Sequence, residues 1–307
     1  MILTVCMSPC TDVTIELDSL KVGNTNIVKS KRLSLGGKAL NVAIGVSRLG
    51  GAVHATGLMY NENGYMFENA LDKEGVAFTF VWNKGRAREN YKFIDNRSML
   101  TEVNDVGEEV TKEKLEEVLE LVKMLSMRSN VTVLSGSLPR GVAPAFYGRL
   151  SKAVHERSIK IVDATGERMF AALAEGADLV KPNLEELENM LGRRIKDKNE
   201  MLAACYELID RGAKRVLLSL GKQGAVITDG TQSFYCKSMN VAVNSTVGAG
   251  DGMVAAAAML LEQGAPLDEI LRCGVAAGTA TVMTAEQVSF TKEKYNDVIC
   301  NLNVIRI

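Results

Sequence analysis

In the stretch NSTVGAGDGMVAAAAMLLEQGA (residues 244–265) a single carboxylate, Asp251, stands between two glycines at the head of an almost wholly apolar run. Gly248, Ala249 and Gly250 precede it. They are small enough to let successive backbone N–H groups turn toward one point, and a helix N-terminus adds its positive end. That arrangement cradles an anion, and a phosphoryl group in transfer is an obvious candidate. An Asp beside such a cradle is badly placed to hold a phosphate but well placed to take the proton from a hydroxyl that attacks one. The same residues also make a plain capped helix, in which Asp251 only complements the dipole. This segment alone leaves both readings open.

Three further stretches carry groups of the same kind. LVKPNLEELENML places Lys181, Asn183 and Glu186 where a strand gives way to a helix. Asn183 with Glu186 three residues on is the pattern of a capping box, and also a pair able to organise Mg²⁺ and its waters near nucleotide phosphates. In SLGKQGAV, Ser219, Gly221 and Gly224 line a tight turn between two apolar strands, either a simple hairpin or one that also touches phosphate. GGKALNVAIGVSRLG sets Gly36 and Gly37 ahead of a helix carrying Lys38 and Asn41. Paired glycines permit close approach of a ligand, and an Asn amide both donates to and accepts from hydroxyls. Asp12 follows the first strand. KGRARENYKF adds Arg86 and the alternating Arg88, Asn90 and Lys92, which share one face of a strand. That cationic face suits a phosphate, with Arg giving bidentate contact; a solvated edge strand is the plainer alternative.

Other chemistries lack their signatures. The sequence holds no G-x-x-x-x-G-K-[ST] loop and no G-x-G-x-x-G fingerprint, and LSGSLPRG is not a G-x-S-x-G elbow. Cys6 and Cys10 have no second Cys or His pair at finger spacing. His54, in a strand, and His155, in a charged helix, have no nucleophile or metal-ligand pattern beside them. Lys and Arg number 36 against 37 Asp and Glu, so no bulk charge draws the chain to nucleic acid or membrane. No run reaches the roughly 18 apolar residues of a membrane helix. Scattered cysteines and a start lacking the n-region of a signal peptide predict a cytoplasmic protein.

The elements that must position these groups follow an α/β rhythm. Strands at MILTVCM, AVHATGL, VAFTFVW, NVTVLSG, IKIVDAT and ADLVKPN alternate with helices at KALNVAIGVSRLG, GYMFENALDKEG, TKEKLEEVLELVKML, APAFYGRLSKAVHERS and ERMFAALAEG. This predicts an α/β fold, a mainly parallel sheet with helices on both faces, binding ligands beyond the strand carboxyl ends. Residues about 12–34 and 88–104 instead read as exposed strands of a small second sheet, a lid over the cleft. Without a Pro- or Ser-rich linker, residues 1–307 read as one domain with an excursion.

In this order the motifs resemble the PfkB (ribokinase-like) carbohydrate kinases, a likeness carried nearly end to end by GGKALNVAIGVSRLG, KPNLEEL and VGAGDGMVAAAA. The resemblance implies a three-layer fold with a β-sheet lid, ATP as co-substrate and Mg²⁺ as cofactor. It implies Asp251 as catalytic base, the backbone of Gly248, Ala249 and Gly250 as anion hole, and Asn183 and Glu186 as the N-x-x-E pair that tunes Mg²⁺, through water. Lys181, Asn183, Ser219, Gly221 and Gly224 would meet the nucleotide, and Val275 and Thr279 would border adenine. The opening and RARENYKF look most like the hexose-phosphate branch, 1-phosphofructokinases and tagatose-6-phosphate kinases. There Asp12, Gly37, Lys38, Asn41 and Asn90 would hold the substrate, with the cations Arg88 and Lys92 on its phosphate. The branch commonly pairs through the lid sheet, so a homodimer is expected. This chain departs from the branch at Ser8 in SPCTD, where Asn is usual, and at Ala39, where Gly is usual and a methyl group would crowd the sugar. Tyr60 and Asn61 replace a glycine pair, and Gly252 follows the Asp where Ser is frequent. A kinase for an uncharged sugar or nucleoside, or a non-catalytic sensor of the same fold, are the alternative readings.

Overall fold

The computed structural model describes residues 1–97, 99–284 and 289–307. After β1 (Ile2–Cys6) the chain leaves for β2 (Cys10–Glu16) and β3 (Ser30–Gly36). It returns through α1 (Lys38–Arg48), β4 (Val53–Tyr60), α2 (Gly64–Lys73) and β5 (Ala77–Asn83), and leaves again as β6 (Arg88–Ile94) and β7 (Leu100–Asn104). Ser98, between those two, lies outside the described residues. Then come α3 (Lys112–Ser126), β8 (Val131–Ser135), α4 (Phe146–Ala153), β9 (Ile159–Asp163), α5 (Glu167–Leu173) and β10 (Leu179–Val180). They are followed by α6 (Leu184–Leu191), α7 (Lys198–Asp210), β11 (Val216–Ser219), β12 (Ala225–Thr228) and β13 (Ser233–Cys236). The chain ends with α8 (Ala249–Glu262), α9 (Leu267–Val282), α10 (Lys292–Ile299) and β14 (Val304–Arg306).

Ten strands form the main sheet in the order β14-β13-β12-β11-β10-β9-β8-β1-β4-β5. From β5 to β11 every pairing is parallel, and β12, β13 and β14 join antiparallel. Parallel strands need crossovers, and helices supply them on both faces, which is why the strands read as near-continuous apolar runs. Successive residues of β1 divide between two cores. Ile2 and Cys6 pack with α1, α8 and α9, while Leu3 and Val5 pack with α3, α4 and α7. Each fully buried Leu or Val among them contributes roughly 1.5–3 kcal/mol.

The second sheet has the order β3-β2-β6-β7, and its β2–β6 pair is parallel. Register there sets Cys10 opposite Arg88, Asp12 opposite Asn90 and Thr14 opposite Lys92. Asp12, Asn90 and Lys92 therefore share one face, and Val13, Ile15, Tyr91 and Phe93 cluster on the other. One expected helix is shorter than predicted. α4 stops at Ala153, because Val154 turns extended and is buried in the core. His155 therefore sits in the following turn rather than in a helix.

Candidate active site

The carboxyl ends of β1, β8, β9, β10 and β11 open into a cavity of about 1980 Å³, closed opposite by β2, β6 and β7 and at its floor by the start of α8. That exceeds the roughly 300–1,000 Å³ of a single-ligand pocket and leaves room for more than one small molecule. Of the candidates taken from the sequence, Asp12, Gly37, Lys38, Asn41, Arg88, Asn90, Lys92, Lys181, Asn183, Glu186, Ser219, Gly221, Gly224, Gly248, Ala249, Gly250, Asp251, Val275 and Thr279 line it; Gly36 and Arg86 do not, Arg86 pairing instead with Glu89 at 3.2 Å.

At the floor, Gly248 takes the N-cap position of α8 in the left-handed region (φ 80°), a conformation that a side chain would oppose, and Gly248, Ala249 and Gly250 all line the cavity. Asp251 is in the first turn, but its carboxylate does not cap the helix. It is 6% exposed, and its Oδ2 accepts from Asn41 Nδ2 at 2.8 Å. Burial pushes its pKa up to about 6, against the nearby positive charge of Lys38. The other amide atom of Asn41, Oδ1, is buried and meets no donor among the described residues. A substrate hydroxyl would satisfy it.

Beside Asp251 lies a charge cluster that spans both halves of the cavity. Asp163, at the end of β9, is fully buried, and Ser135 Oγ donates to its Oδ2 at 3.1 Å. Lys38 Nζ stands 3.4 Å from Oδ2, and Lys181 Nζ 3.4 Å from Oδ1. Burial opposes the Asp163 charge, yet the ammonium groups of Lys181 and Lys38 hold its pKa below the ordinary carboxylate range. The Asp163 charge in turn raises the Lys38 pKa, with smaller help from Asp251 and Glu186. A Cβ on Gly250 would stand 3.0 Å from Lys181 Nζ, so that ammonium abuts the cradle.

Asn183 and Glu186 do form the capping box of α6, Asn183 Oδ1 accepting from Glu186 N–H and Glu186 Oε2 from Asn183 N–H, both at 2.8 Å. Glu186 Oε1 remains toward the cavity, 3.9 Å from Lys38 Nζ. Among the described residues no three His, Cys, Asp or Glu side chains are grouped to hold a metal. The donor set thus fits a hard cation that arrives on phosphates and keeps its waters, not one in a protein cage.

On the lid side, Asp12 Oδ1 accepts from Asn90 Nδ2 at 3.1 Å and Oδ2 from Lys92 Nζ at 3.0 Å, so Lys92 is an ion-paired, buried group. Arg88 is half-buried: its Nε donates to Ser8 Oγ at 3.1 Å and its Nη1 to Asn90 Oδ1 at 3.0 Å. Ser8 is thus the departure that touches a candidate group. Ala39 is fully buried in the core and does not line the cavity, so its methyl group does not crowd a ligand; Tyr60 is likewise core. The glycine pair makes room for protein rather than ligand. A Cβ on Gly36 would fall 2.8 Å from Cys10 Sγ, and one on Gly37 3.1 Å from Cys6 Sγ. Both thiols line the cavity, and burial pushes them up to about 11 and about 12 respectively.

Sequence reasoning missed Asp163, Ser135, Arg168, and Glu102 and Asn104 of β7, all cavity-lining. Asp163 had a readable signal, a lone acid closing an apolar parallel strand, where such sheets present ligand groups.

A parallel sheet whose strand ends share a cavity with a small lid-like sheet, above a helix N-terminus bearing a buried acid, defines an α/β phosphotransferase architecture. The chain belongs to the pfkB family of carbohydrate kinases, which matches residues 5–293. It is therefore an ATP-dependent carbohydrate kinase. Among its relatives, Escherichia coli K12 1-phosphofructokinase is 33% identical over 253 residues, covering 82% of this chain and 81% of that protein. The 1-phosphofructokinase of Borreliella burgdorferi is 27% identical over 305 residues, covering 99% and 98%. Escherichia coli phosphofructokinase-2, solved in complex with fructose-6-phosphate, superposes with a TM-score of 0.87 at 28% identity, covering 98% of both chains.

Proposed function

We propose that this chain transfers the γ-phosphoryl group of ATP to a primary hydroxyl of a ketohexose monophosphate, fructose 1-phosphate or tagatose 6-phosphate. One observation carries the reading: a buried carboxylate at a helix N-terminus and a cationic lid strand open on the same cavity. The acceptor hydroxyl lies against Asp251 and Asn41, and Asp251 takes its proton as attack develops. Backbone N–H groups of Gly248, Ala249 and Gly250, with Lys38 and Lys181 beside them, meet the charge that grows on the transferred group. Asp12, Gly37 and Asn90 hold sugar hydroxyls. The phosphate already on the sugar meets Arg88 first, since Lys92 is paired with Asp12. Ser219, Gly221 and Gly224 contact the nucleotide, Val275 and Thr279 border its base, and Mg²⁺ bound with the triphosphate, held through water by Asn183 and Glu186, neutralises phosphoryl charge. The small sheet acts as the lid of a single kinase domain. Its closure excludes water and limits ATP hydrolysis. A homodimer forms through its outer face.

The test is coupled ADP release with Mg-ATP against fructose 1-phosphate, tagatose 6-phosphate, fructose 6-phosphate, fructose, ribose and adenosine. Turnover confined to phosphosugars is expected, and Arg88→Ala is expected to raise KM for the phosphosugar at least about tenfold with little change in KM for ATP. Fructose 6-phosphate is the second reading, favoured by the phosphofructokinase-2 likeness. Turnover of only an uncharged acceptor removes the Arg88 assignment and keeps Asp251; silence across the panel favours a sensor.

A further inference from the structure

Helix α10 carries none of the motifs above. It docks on α9 through Tyr295 and Ile299, packed against the cluster of Cys273, Ala277 and Ala280. This docking holds Lys294 over the carboxyl end of α9, where the half-buried ammonium donates to the Met283 carbonyl at 2.7 Å. Asn244 Nδ2 donates to the same carbonyl at 2.7 Å, and the N–H groups of Asn244 and Ser245 donate to Val282 O at 2.8 and 3.4 Å. Four donors therefore converge on the carbonyls of Val282, the last residue of α9, and of its C-cap Met283, groups that a helix cannot satisfy itself. Three of the four belong to residues 244 and 245. That strap continues through Val247, whose N–H is held by Ser245 Oγ at 3.2 Å, directly into Gly248.

We propose that Lys294 is a positioning residue for the anion cradle: its ammonium fixes the α9 terminus and the strap 244–247 that sets the direction of the Gly248–Gly250 N–H groups. The inference rests on reading those N–H groups as the cradle. A cation is the right group for the place, because the carboxyl end of a helix carries partial negative charge and the Met283 oxygen already takes one amide donor. Without the ammonium, the strap keeps its amide bonds to a terminus whose charge is no longer balanced. The loosening is then felt at Gly248 before it is felt in the core.

The experiment is calorimetric binding of Mg-AMP-PNP and of ADP to the full chain, which needs no sugar. Lys294→Met is expected to weaken AMP-PNP at least about fivefold and ADP less than about twofold, since only the former places a group in the cradle. Lys294→Arg restores the difference. Methylammonium chloride recovers part of it in Lys294→Met, where tetramethylammonium chloride does not. Lys294→Gln keeps a neutral donor and serves if the Met variant fails to fold; a charge role predicts that it behaves as Met does. Equal loss for both nucleotides, no loss, or a loss that neither Arg nor methylammonium repairs overturns the proposal. Gly250→Ala in the same assay separates two failures. If it spares AMP-PNP as well, the cradle reading falls; if it weakens AMP-PNP and Lys294→Met does not, only the Lys294 role falls.

Discussion

Asp251 is costly to keep charged where it is, and that cost makes it testable apart from turnover. Its pKa rises to about 6 in the fold from an ordinary 3.8. A raised acid favours the native state fully below the unfolded pKa and loses that advantage as pH climbs through the native value. The native chain therefore bears a cost that grows between about pH 4 and 6 and then stays level at about 3 kcal/mol. Asp251→Asn should remove it. Melting of that variant at pH 8 is expected about 3–5 °C above wild type, with the gap narrowing as pH falls from 6 toward 4. Turnover in the same variant should fall by about 10²–10⁴, and wild-type kcat/KM should show an acidic limb near pH 6. A Tm gap independent of pH would remove the buried-charge account, and near-normal turnover would remove the base. At this scale the sequence was informative wherever residue type and spacing coincided with the end of a strand or the start of a helix, as at Asp12, Asn41 and Asp251. It was silent on pairings across the fold. The bonds of Asn41 to Asp251 and of Lys92 to Asp12 join positions 210 and 80 residues apart, and only the folded chain brings them together.

Helices α8 and α9 explain a residue that family likeness alone leaves odd. A Cβ on Gly252 would lie 2.6 Å from Thr281 Oγ1 and 3.1 Å from Ala277 O, so the place where Ser is frequent is already filled by the neighbouring helix. Thr281 Oγ1 is itself anchored on Ala277 O at 2.8 Å. Gly252→Ser is therefore expected to destabilise by about 1–3 kcal/mol through overpacking, read as a lower urea midpoint. Adding Thr281→Ala should recover most of the loss, because the new hydroxyl then takes the vacated place on Ala277 O. If the double variant is no more stable than Gly252→Ser, the helix contact is not what excludes Ser. Element type was readable because the two periodicities hold along nearly the whole chain. Element ends were less so. Nothing local in LSKAVHERS announces that α4 stops at Ala153; burial of Val154 decides it. The capping box of α6 illustrates a different limit, since forming it does not decide the other reading of Asn183 and Glu186. One Glu186 oxygen caps the helix and the other faces the cavity.

In the whole molecule the cavity exists because the chain leaves its main sheet twice and pairs the two excursions with each other. Their β2–β6 pairing is parallel across 78 positions, which no hairpin signal in the sequence could announce. The same pleat that turns Asp12 and Asn90 inward turns a row of Leu33, Val13, Tyr91 and Val103 outward. Val13 is fully covered, whereas Leu33 is 55% exposed and Val103 54%. Exposed apolar flanks around a covered centre suit stacking of a second copy of the sheet. Light scattering is expected to give twice the chain mass of 33.2 kDa. Leu33→Asp with Val103→Asp should bring it to a single chain, because two charges per sheet would have to be desolvated in the stacked form. If the lid side chains hold the sugar as proposed, the monomer should keep its kcat at saturating acceptor and show a raised KM for the phosphosugar with the KM for ATP little changed. A wild-type chain that scatters as a monomer removes the dimer. A dimer that survives both substitutions places the contact elsewhere.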